Sequence, residues 1–252
     1  MTRRPRRQSE SGYYHVYARG SGRQIIYRDD CDRRRFLGAL ESAAADSSTE
    51  LLAYCLMSNH YHLVVNAEYE QLAAFGYALN RTYATYYNDR HDRTGHLFQG
   101  RFSSQPIDEE SYLLAAVRYV HRNPVEAKMT HTPNYIWNSY AAYLGDSANP
   151  IDSIIKTDLV LGMLGGLEAF VEFHSHPGKE VFADDHPYPV RVATADIPEI
   201  ARTALQGADP VSLKSLAKPD RNDALKRLKL ANLTISQIST LTGISRSTIQ
   251  RA

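Results

Sequence analysis

Apolar and polar residues alternate along several short segments of the chain, which is the pattern of half-buried β-strands. The alternation predicts strands over residues 13–19, 51–57 and 60–65, and a fourth strand within residues 96–106. Because only two residues separate the second strand from the third, we expect these two to pair as a hairpin.

Helical spacing of apolar residues marks the segments that follow these strands. A first helix begins at Asp29 or Asp30, either of which can cap it, and a second covers about residues 69–88. A third covers about residues 109–122 and has Asp108 as its predicted cap. The order β-α-β-β-α-β-α is typical of a ferredoxin-like, split βαβ antiparallel sheet with helices on one face. We therefore predict the α+β fold class.

Composition bounds the class of protein. The chain has 252 residues, 43% hydrophobic and 23% charged, which is enough for one large domain or two small ones and excludes wholesale disorder. No apolar run approaches the roughly 18–20 residues of a membrane helix. The basic N-terminus lacks the apolar stretch of a secretory signal. Two cysteines make neither a disulfide framework nor a four-cysteine zinc site. We expect a soluble cytoplasmic protein with no membrane partner.

The net charge of +1 conceals an uneven distribution. Residues 1–35 hold ten arginines against four acidic residues, and residues 211–252 hold eight basic residues against two acidic ones. Basic ends around an acidic middle indicate two regions that face anions. With the Pro-rich stretch before the basic C-terminus, this pattern predicts three parts: 1–145, a helical accessory region at 146–219, and a helical segment at 220–252.

His60 and His62 flank Tyr61 on the third predicted strand. Residues two apart on a strand project from the same face, so the two imidazoles can bind one divalent ion. The alternative is a pair of hydrogen-bonded histidines on a half-buried strand. A second such pair, His174 and His176, precedes a proline, and we expect it in a loop without metal.

The third helix offers a hydroxyl and an amide together. Tyr119 lies at the rim of its apolar stripe, and Asn123 follows four residues later on the same face. Asn123 and Pro124 are expected to end this helix. Tyr112 lies two turns earlier on nearly the same face, so spacing alone does not choose between the two tyrosines.

Four blocks of sequence resemble those of one known family. They are residues 13–20, residues 54–64 (YCLMSNHYHLV), residues 95–102 (GHLFQGRF) and residues 118–127 (RYVHRNPVEA). In this order the chain resembles the single-tyrosine HUH transposases, and most of all the REP-associated tyrosine transposases. The departures are small, with serine at position 58 and glutamate at 126 where the family usually has proline and arginine.

The resemblance implies a set of roles for these residues. His60, His62 and Asn123 would bind Mg²⁺ or Mn²⁺, and Tyr119 would attack a phosphodiester of single-stranded DNA. The product would be a 5′-phosphotyrosine with a free 3′-OH, which the reverse reaction rejoins. The expected partner is single-stranded and hairpin DNA, and the protein would act as a monomer or a homodimer.

The C-terminal segment has the pattern helix, tight turn, helix. Gly243 can adopt the turn conformation, and Ser245 can cap the second helix. This segment resembles a helix-turn-helix that binds duplex DNA, the alternative being a small basic helical cap. The residues expected to contact DNA, from this segment, the basic N-terminal arm and the central motifs, are Arg3, Arg4, Arg6, Arg7, Arg101, Arg122, Arg246, Ser247, Thr248 and Gln250.

Three alternatives to a strand-transfer enzyme stay open. One is a non-cutting hairpin-binding regulator of the same fold, which the presence of all proposed catalytic residues disfavours. Another is a replication-initiator or relaxase-like nickase, which would place its tyrosine in a different motif. The last is a metal-dependent hydrolase with water as nucleophile, which would keep its activity in Tyr119→Phe.

Overall fold

A four-stranded antiparallel sheet forms the centre of the larger part of the molecule. Its spatial order is β2-β3-β1-β4, which is the ferredoxin-like arrangement predicted from the sequence. The computed structural model describes residues 6–178, 182, 197–231 and 233–251. The strands are β1 (Tyr13–Arg19), β2 (Glu50–Met57), β3 (His60–Asn66) and β4 (Ser103–Ile107).

Strand β4 occupies only the end of the segment predicted for it. The chain before it turns at Gly95 and Gly100, whose φ angles of +91° and +78° lie in the left-handed region. Glycine reaches this region without steric cost, whereas an extended strand does not pass through it. The predicted β2–β3 hairpin is confirmed, with His62 paired to Cys55 across the two strands.

Two helices cover one face of the sheet, α1 (Asp30–Asp46) and α2 (Tyr69–Arg90). Asp29 caps α1, because its carboxylate accepts a hydrogen bond of 3.0 Å from the Asp32 amide. Tyr61, the second residue of β3, projects toward both helices. Its ring lies 4.9 Å from that of Phe36 on α1, and its hydroxyl donates to Asn80 on α2 at 2.8 Å.

Helix α3 (Glu110–Glu126) packs on the opposite face of the sheet, against β2 and β3. Its predicted apolar stripe is buried, with Leu113, Val117 and Val120 all at most 3% exposed. Since residues alternate across a strand, the face opposite Tyr61 is the one on which His60 and His62 project. The sheet therefore separates the two crossover helices from the helix that holds Tyr119.

The predicted cap and the predicted end of α3 were wrong. The Asp108 carboxylate does not cap the helix but accepts hydrogen bonds from Ser9 Oγ at 2.8 Å and the Glu10 amide at 2.9 Å. The helix also continues through Pro124 to Glu126. Proline removes one backbone donor in this last turn, where the remaining carbonyls are satisfied by the following loop: the Met129 amide donates to the Pro124 carbonyl at 2.8 Å.

The chain after α3 adds further helices to the same hydrophobic core. Ile151, Val160 and Phe170 are buried in it. Among the helices that the structure describes, none is both long enough and apolar enough to cross a membrane. The elements are α4 (Tyr140–Tyr143), a 3₁₀ helix (Pro150–Ile154), α5 (Asp158–Leu164) and α6 (Leu167–Ser175).

A second packing unit comprises residues 22–25 and the described residues from 197 onward. Its core is built from Leu225, Leu228, Ile238 and Ile249, each fully buried, with Ala201. The three predicted parts, with their boundaries at 145 and 219, stay a prediction, because packing alone does not test which parts fold independently. The helices are α7 (Ile197–Ala204), α8 (Lys218–Leu230), α9 (Ile235–Thr242) and α10 (Arg246–Arg251).

The turn between α9 and α10 has the predicted geometry. Gly243 ends α9 with a left-handed φ of +64°, and the Thr248 amide donates to Ser245 Oγ at 3.3 Å. Thr234 and Gln237 form a reciprocal capping box at the start of α9.

Candidate active site

Two imidazoles project side by side from β3 toward α3. His62 is fully buried, and His60, the first residue of the strand, is half-buried. Their ring centroids lie 4.9 Å apart and their planes are nearly perpendicular, at 87°. The predicted common face of the pair is therefore realised in the fold.

Each of these imidazoles has a hydrogen-bond partner at Nδ1. His60 Nδ1 lies 2.6 Å from the Oδ1 of Asn59 in the β2–β3 turn. His62 Nδ1 lies 3.0 Å from Nε2 of His15 on β1. Because Oδ1 can only accept, His60 carries its proton on Nδ1 and presents a bare Nε2.

Helix α3 places an amide and a phenol over this pair. Asn123 Nδ2 lies 3.5 Å from His62 Nε2, and the Asn123 side chain lies close enough to His60 to influence its pKa. The ring of Tyr119 stands edge-on to His62, with 5.4 Å between centroids and 86° between planes. The residues that the sequence selected on two separate elements thus meet at one point.

Burial keeps the histidines of this site uncharged. The pKa of His60 is lowered to about 3, by desolvation and by the nearby Arg19 cation. Burial likewise lowers the pKa of His15 to about 3 and that of His62 well below its usual range. Neutral imidazoles are the form that binds metal ions.

The donor set fits a small divalent cation. The Nε2 atoms of both histidines and the Asn123 side chain converge, and rotation of the amide would turn Oδ1 toward the ion. The described residues contain no group of three or more His, Cys, Asp and Glu side chains that could hold a metal. A set of neutral ligands leaves the charge of the ion available to a phosphate, and nitrogen and amide donors suit Mn²⁺ at least as well as Mg²⁺.

The geometry distinguishes Tyr119 from Tyr112. The Tyr112 hydroxyl is hydrogen-bonded by the Gln105 side-chain amide, which holds it toward β4. Tyr119 is the one of the two whose ring contacts the imidazoles of His62 and His15, at 5.4 and 5.6 Å. Position on the helix therefore favours Tyr119 as the reacting residue.

His174 of the second histidine pair has a structural role. His174 lies on α6 rather than in the predicted loop, and it is fully buried. Its Nδ1–H donates to the Phe170 carbonyl at 2.9 Å, so its Nε2 accepts from His121 Nδ1 at 3.1 Å. His121 Nε2 then accepts from Ser139 Oγ at 2.8 Å. This chain of donors, here called the His121–His174 network, fastens α6 to α3.

The arginines predicted to contact DNA occupy different environments. Arg3 and Arg4 lie outside the described residues. Arg6, from the basic N-terminal arm, packs its guanidinium 3.9 Å from the centre of the Phe102 ring. Arg122 donates to the His174 carbonyl at 2.8 Å and pairs with Glu126 at 3.0 Å. Among the predicted DNA-contacting arginines outside the C-terminal segment, Arg7 and Arg101 are exposed.

The C-terminal residues expected to contact DNA lie on α10. Arg246, Ser247 and Gln250 are exposed, whereas Thr248 is half-buried and turned toward Ser245. Their DNA contacts stay a prediction.

Sequence reasoning missed His15 and Phe182. The alternation in residues 13–19 places His15 and Tyr17 on one face of β1, but which face this is depends on the pairing with β3. The Phe182 ring stacks on Tyr119 at 4.3 Å, and no local pattern in the sequence signals that contact.

Residues 8–123 match the family model for IS200-like transposases. Among solved structures, the chain is similar to a REP-associated tyrosine transposase bound to a REP hairpin, with 14% identity, a TM-score of 0.48, and coverage of 60% of this chain and 90% of that one. It is also similar to a candidate transposase from Deinococcus radiodurans R1, with 16% identity, a TM-score of 0.34, and coverage of 51% and 95%. The comparison with curated proteins gave no match.

Proposed function

We propose that this protein is a divalent-metal-dependent endonuclease and strand-transferase, because residues 8–123 match the family model for IS200-like transposases. It acts on single-stranded DNA next to a hairpin and forms a covalent intermediate through Tyr119. The hairpin is the partner named for the similar REP-associated transposase.

The meeting of Tyr119 with the His60–His62–Asn123 set is the observation that supports this function. The phenol ring and the His62 imidazole are in contact at 5.4 Å, although they come from α3 and β3. A phosphate bound at the Nε2 side of the histidines would lie within reach of both helix residues. A nucleophile next to a metal-binding set is the arrangement that phosphoryl transfer needs.

The proposed reaction exchanges one phosphate ester for another. Tyr119 Oη bonds to phosphorus as the bond from phosphorus to the 3′ oxygen breaks, giving a 5′-phosphotyrosine. The phenol proton passes to water, and the departing 3′ oxygen gains a proton from water. Attack by a 3′-OH on the phosphotyrosine reverses these steps and joins strands, so ATP is not needed.

A bound divalent ion would supply polarisation of the phosphate and stabilisation of its developing charge. This contribution is needed because a free phenol with a pKa of about 10 is ionised in only about one molecule in a thousand at pH 7. The two neutral histidines and Asn123 would hold the ion. Asn123 lies on the same helix as the proposed nucleophile, so it would fix the ion close to Tyr119.

A strand-cleavage assay tests the proposal. Hairpin DNA from the flanks of the gene, with a single-stranded extension labelled at the 5′ or 3′ end, is incubated with Mn²⁺, Mg²⁺ or EDTA. We expect a denaturant-stable protein–DNA adduct from the wild type and from Tyr112→Phe, which is the matched control. We expect none from Tyr119→Phe or from His60→Ala.

The other outcomes identify which part of the proposal is wrong. An adduct that persists in Tyr119→Phe would move the nucleophile to another tyrosine. Cleavage without adduct would indicate a hydrolase that uses water. Hairpin binding with neither adduct nor cleavage, over a panel of hairpins, would support the non-cutting regulator.

We propose in addition that α9 and α10 bind duplex DNA as a helix-turn-helix. The exposed Arg246 and Gln250 on α10 support this, together with the left-handed turn at Gly243. Arg246→Gln should reduce the magnitude of the negative slope of log K against log salt by about 0.9 per lost phosphate contact. Lys226→Gln, an equal charge change on α8, is the control and should leave the slope unchanged.

A further inference from the structure

His15 lies behind His62, on the side away from the proposed metal. Its Nε2 is 3.0 Å from His62 Nδ1, and the two rings stack with 5.2 Å between centroids and 15° between planes. Both side chains are fully buried. Because its Nε2 faces His62 Nδ1, His15 is not itself one of the converging ligands.

The position of one proton on His62 decides whether the residue can bind a metal. A neutral imidazole carries a single N–H, so a bare Nε2 requires the proton on Nδ1. That Nδ1–H must then donate to His15 Nε2, which is the acceptor in contact with it. In the opposite arrangement His15 donates, the His62 proton moves to Nε2, and the metal position is blocked.

His60, the neighbouring proposed ligand, also has a hydrogen-bond partner at Nδ1, and there the partner leaves only one tautomer possible. Behind His60 stands Asn59 Oδ1, which can only accept, so the His60 tautomer is fixed. Behind His62 stands an imidazole, which can accept or donate. His62 is therefore the ligand whose tautomer depends on the state of a second residue.

We propose that His15 is a positioning residue that holds His62 in its metal-binding tautomer by accepting its Nδ1–H. The inference rests on the proposed function and adds a residue to it. Asn123 favours the same state, since its Nδ2–H₂ group faces His62 Nε2 at 3.5 Å and can donate to a bare nitrogen.

The acceptor role places the proton of His15 on its own Nδ1. Among the described residues this atom is buried and has no hydrogen-bond partner. Aromatic rings surround it, with Tyr17 at 5.4 Å and Tyr119 and Phe182 both at 5.6 Å. The unsatisfied donor weakens the metal-binding state relative to a fully paired one. We therefore expect the protein to bind its metal more weakly than a site in which an acceptor faced His15 Nδ1.

Metal affinity measured without DNA provides the first test. Mn²⁺ binding to full-length protein is followed by electron paramagnetic resonance for the wild type, His15→Gln and His15→Leu. A glutamine Oε1 can occupy the position of His15 Nε2 and accept, whereas leucine cannot. Loss of such an outer partner lowers metal affinity by about 10- to 100-fold, so we expect that loss for His15→Leu and recovery of most of it for His15→Gln.

The tautomer itself provides the second test, and it needs no metal. Nitrogen-15 chemical shifts of the histidine rings, recorded in metal-free protein, should show the proton of His62 on Nδ1 in the wild type and a mixture of tautomers in His15→Leu. Where the wild type bound no Mn²⁺, the proposed metal site would fail, and these shifts would still decide the role of His15.

Two results would overturn the inference. One is a wild-type His62 with its proton on Nε2. The other is a folded His15→Leu that binds Mn²⁺ as the wild type does and has lost adduct formation, which would assign His15 to proton transfer from Tyr119 instead of to positioning.

Discussion

The ring of Phe182 stacks on the ring of Tyr119, with 4.3 Å between centroids and 22° between planes. The same phenylalanine stacks on Tyr112 at 5.2 Å and meets His15 nearly at right angles at 5.6 Å. Only 3% of Phe182 is exposed. It therefore occupies the face of the proposed nucleophile on which a nucleobase could stack.

Removal of this ring should speed the reaction. An aromatic pair contributes about 0.5–1.5 kcal/mol beyond its buried area. DNA that displaces Phe182 must overcome this, so we expect Phe182→Ala to form adduct roughly 2- to 12-fold faster in single-turnover assays. Phe173→Ala is the control, because Phe173 packs under Arg118. An unchanged or slower rate in Phe182→Ala would show that DNA does not compete with this ring.

A glycine on α2 makes room for the aromatic ring beneath Arg6. A Cβ at Gly76 would overlap the Phe102 ring and lie 2.6 Å from its Cζ. We expect Gly76→Ala to lower the free energy of unfolding by about 1–3 kcal/mol through overpacking. Gly38→Ala on α1 is the matched control: it has open space around the added Cβ and should stabilise by up to about 1 kcal/mol.

Urea unfolding followed by tryptophan fluorescence measures both glycine variants. The chain contains one tryptophan, Trp137, which is 6% exposed in the larger hydrophobic core. Equal effects of the two substitutions would contradict the tight fit at Phe102.

The free energy of unfolding should decrease as the pH is lowered below about 6.5, because of the His121–His174 network. Burial lowers the pKa of His174 to about 4 and that of His121 well below its ordinary value. Between pH 6.5 and 4 these histidines are protonated in the unfolded chain but stay neutral in the native one. The native state therefore loses stability as the pH falls. The contribution of His174 is on the order of 3 kcal/mol, present in full above pH 6.5.

The His174→Leu variant isolates this effect. Its unfolding free energy should be lower at pH 7.5 by about 1–3 kcal/mol, since His121 Nδ1–H loses its acceptor. Between pH 4.5 and 6, the unfolding free energy of the variant should depend less steeply on pH than that of the wild type, by up to about 1.4 kcal/mol per pH unit. Parallel pH profiles would exclude His174 as a titrating group.

Substitution of Asn123 should change the metal preference. Asn123→Asp replaces an amide oxygen with a carboxylate, which Mg²⁺ prefers over imidazole. We expect its affinity for Mg²⁺ to rise, on the order of tenfold, and its affinity for Mn²⁺ to rise less. Asn123→Ala should lower both. Calorimetric titration without DNA measures these affinities, and three identical titrations would remove Asn123 from the ligand set.

The local parts of this site were predictable from the sequence. A strand alternates with a period of two, so His60 and His62 had to share a face. A helix returns after four residues, so Asn123 had to lie beside Tyr119. The β2–β3 hairpin followed from its two-residue turn. Each of these relationships is contained within a few residues of chain.

The remaining contacts depend on pairings that short windows of sequence do not encode. His15 reaches His62 only because β1 pairs with β3 in the register that sets Tyr17 opposite His62. His121 and His174 are 53 residues apart in the chain. The continuation of α3 past Pro124 was missed because the satisfaction of its last carbonyls comes from the loop that follows.

The packing of α6 on α3 sets how this protein can be divided or recombined. Phe170 stacks on Tyr143 at 4.6 Å, and His174 completes the network that begins on the helix of the nucleophile. Consider a chimera with residues up to 145 from this protein and the rest from a relative. Such a chimera would pack the relative's α6 against the α3 of this protein. Because Phe182 also stacks on Tyr119, the segment that should come from one parent runs from β1 through Phe182, and exchanges between homologues should be tolerated only outside it.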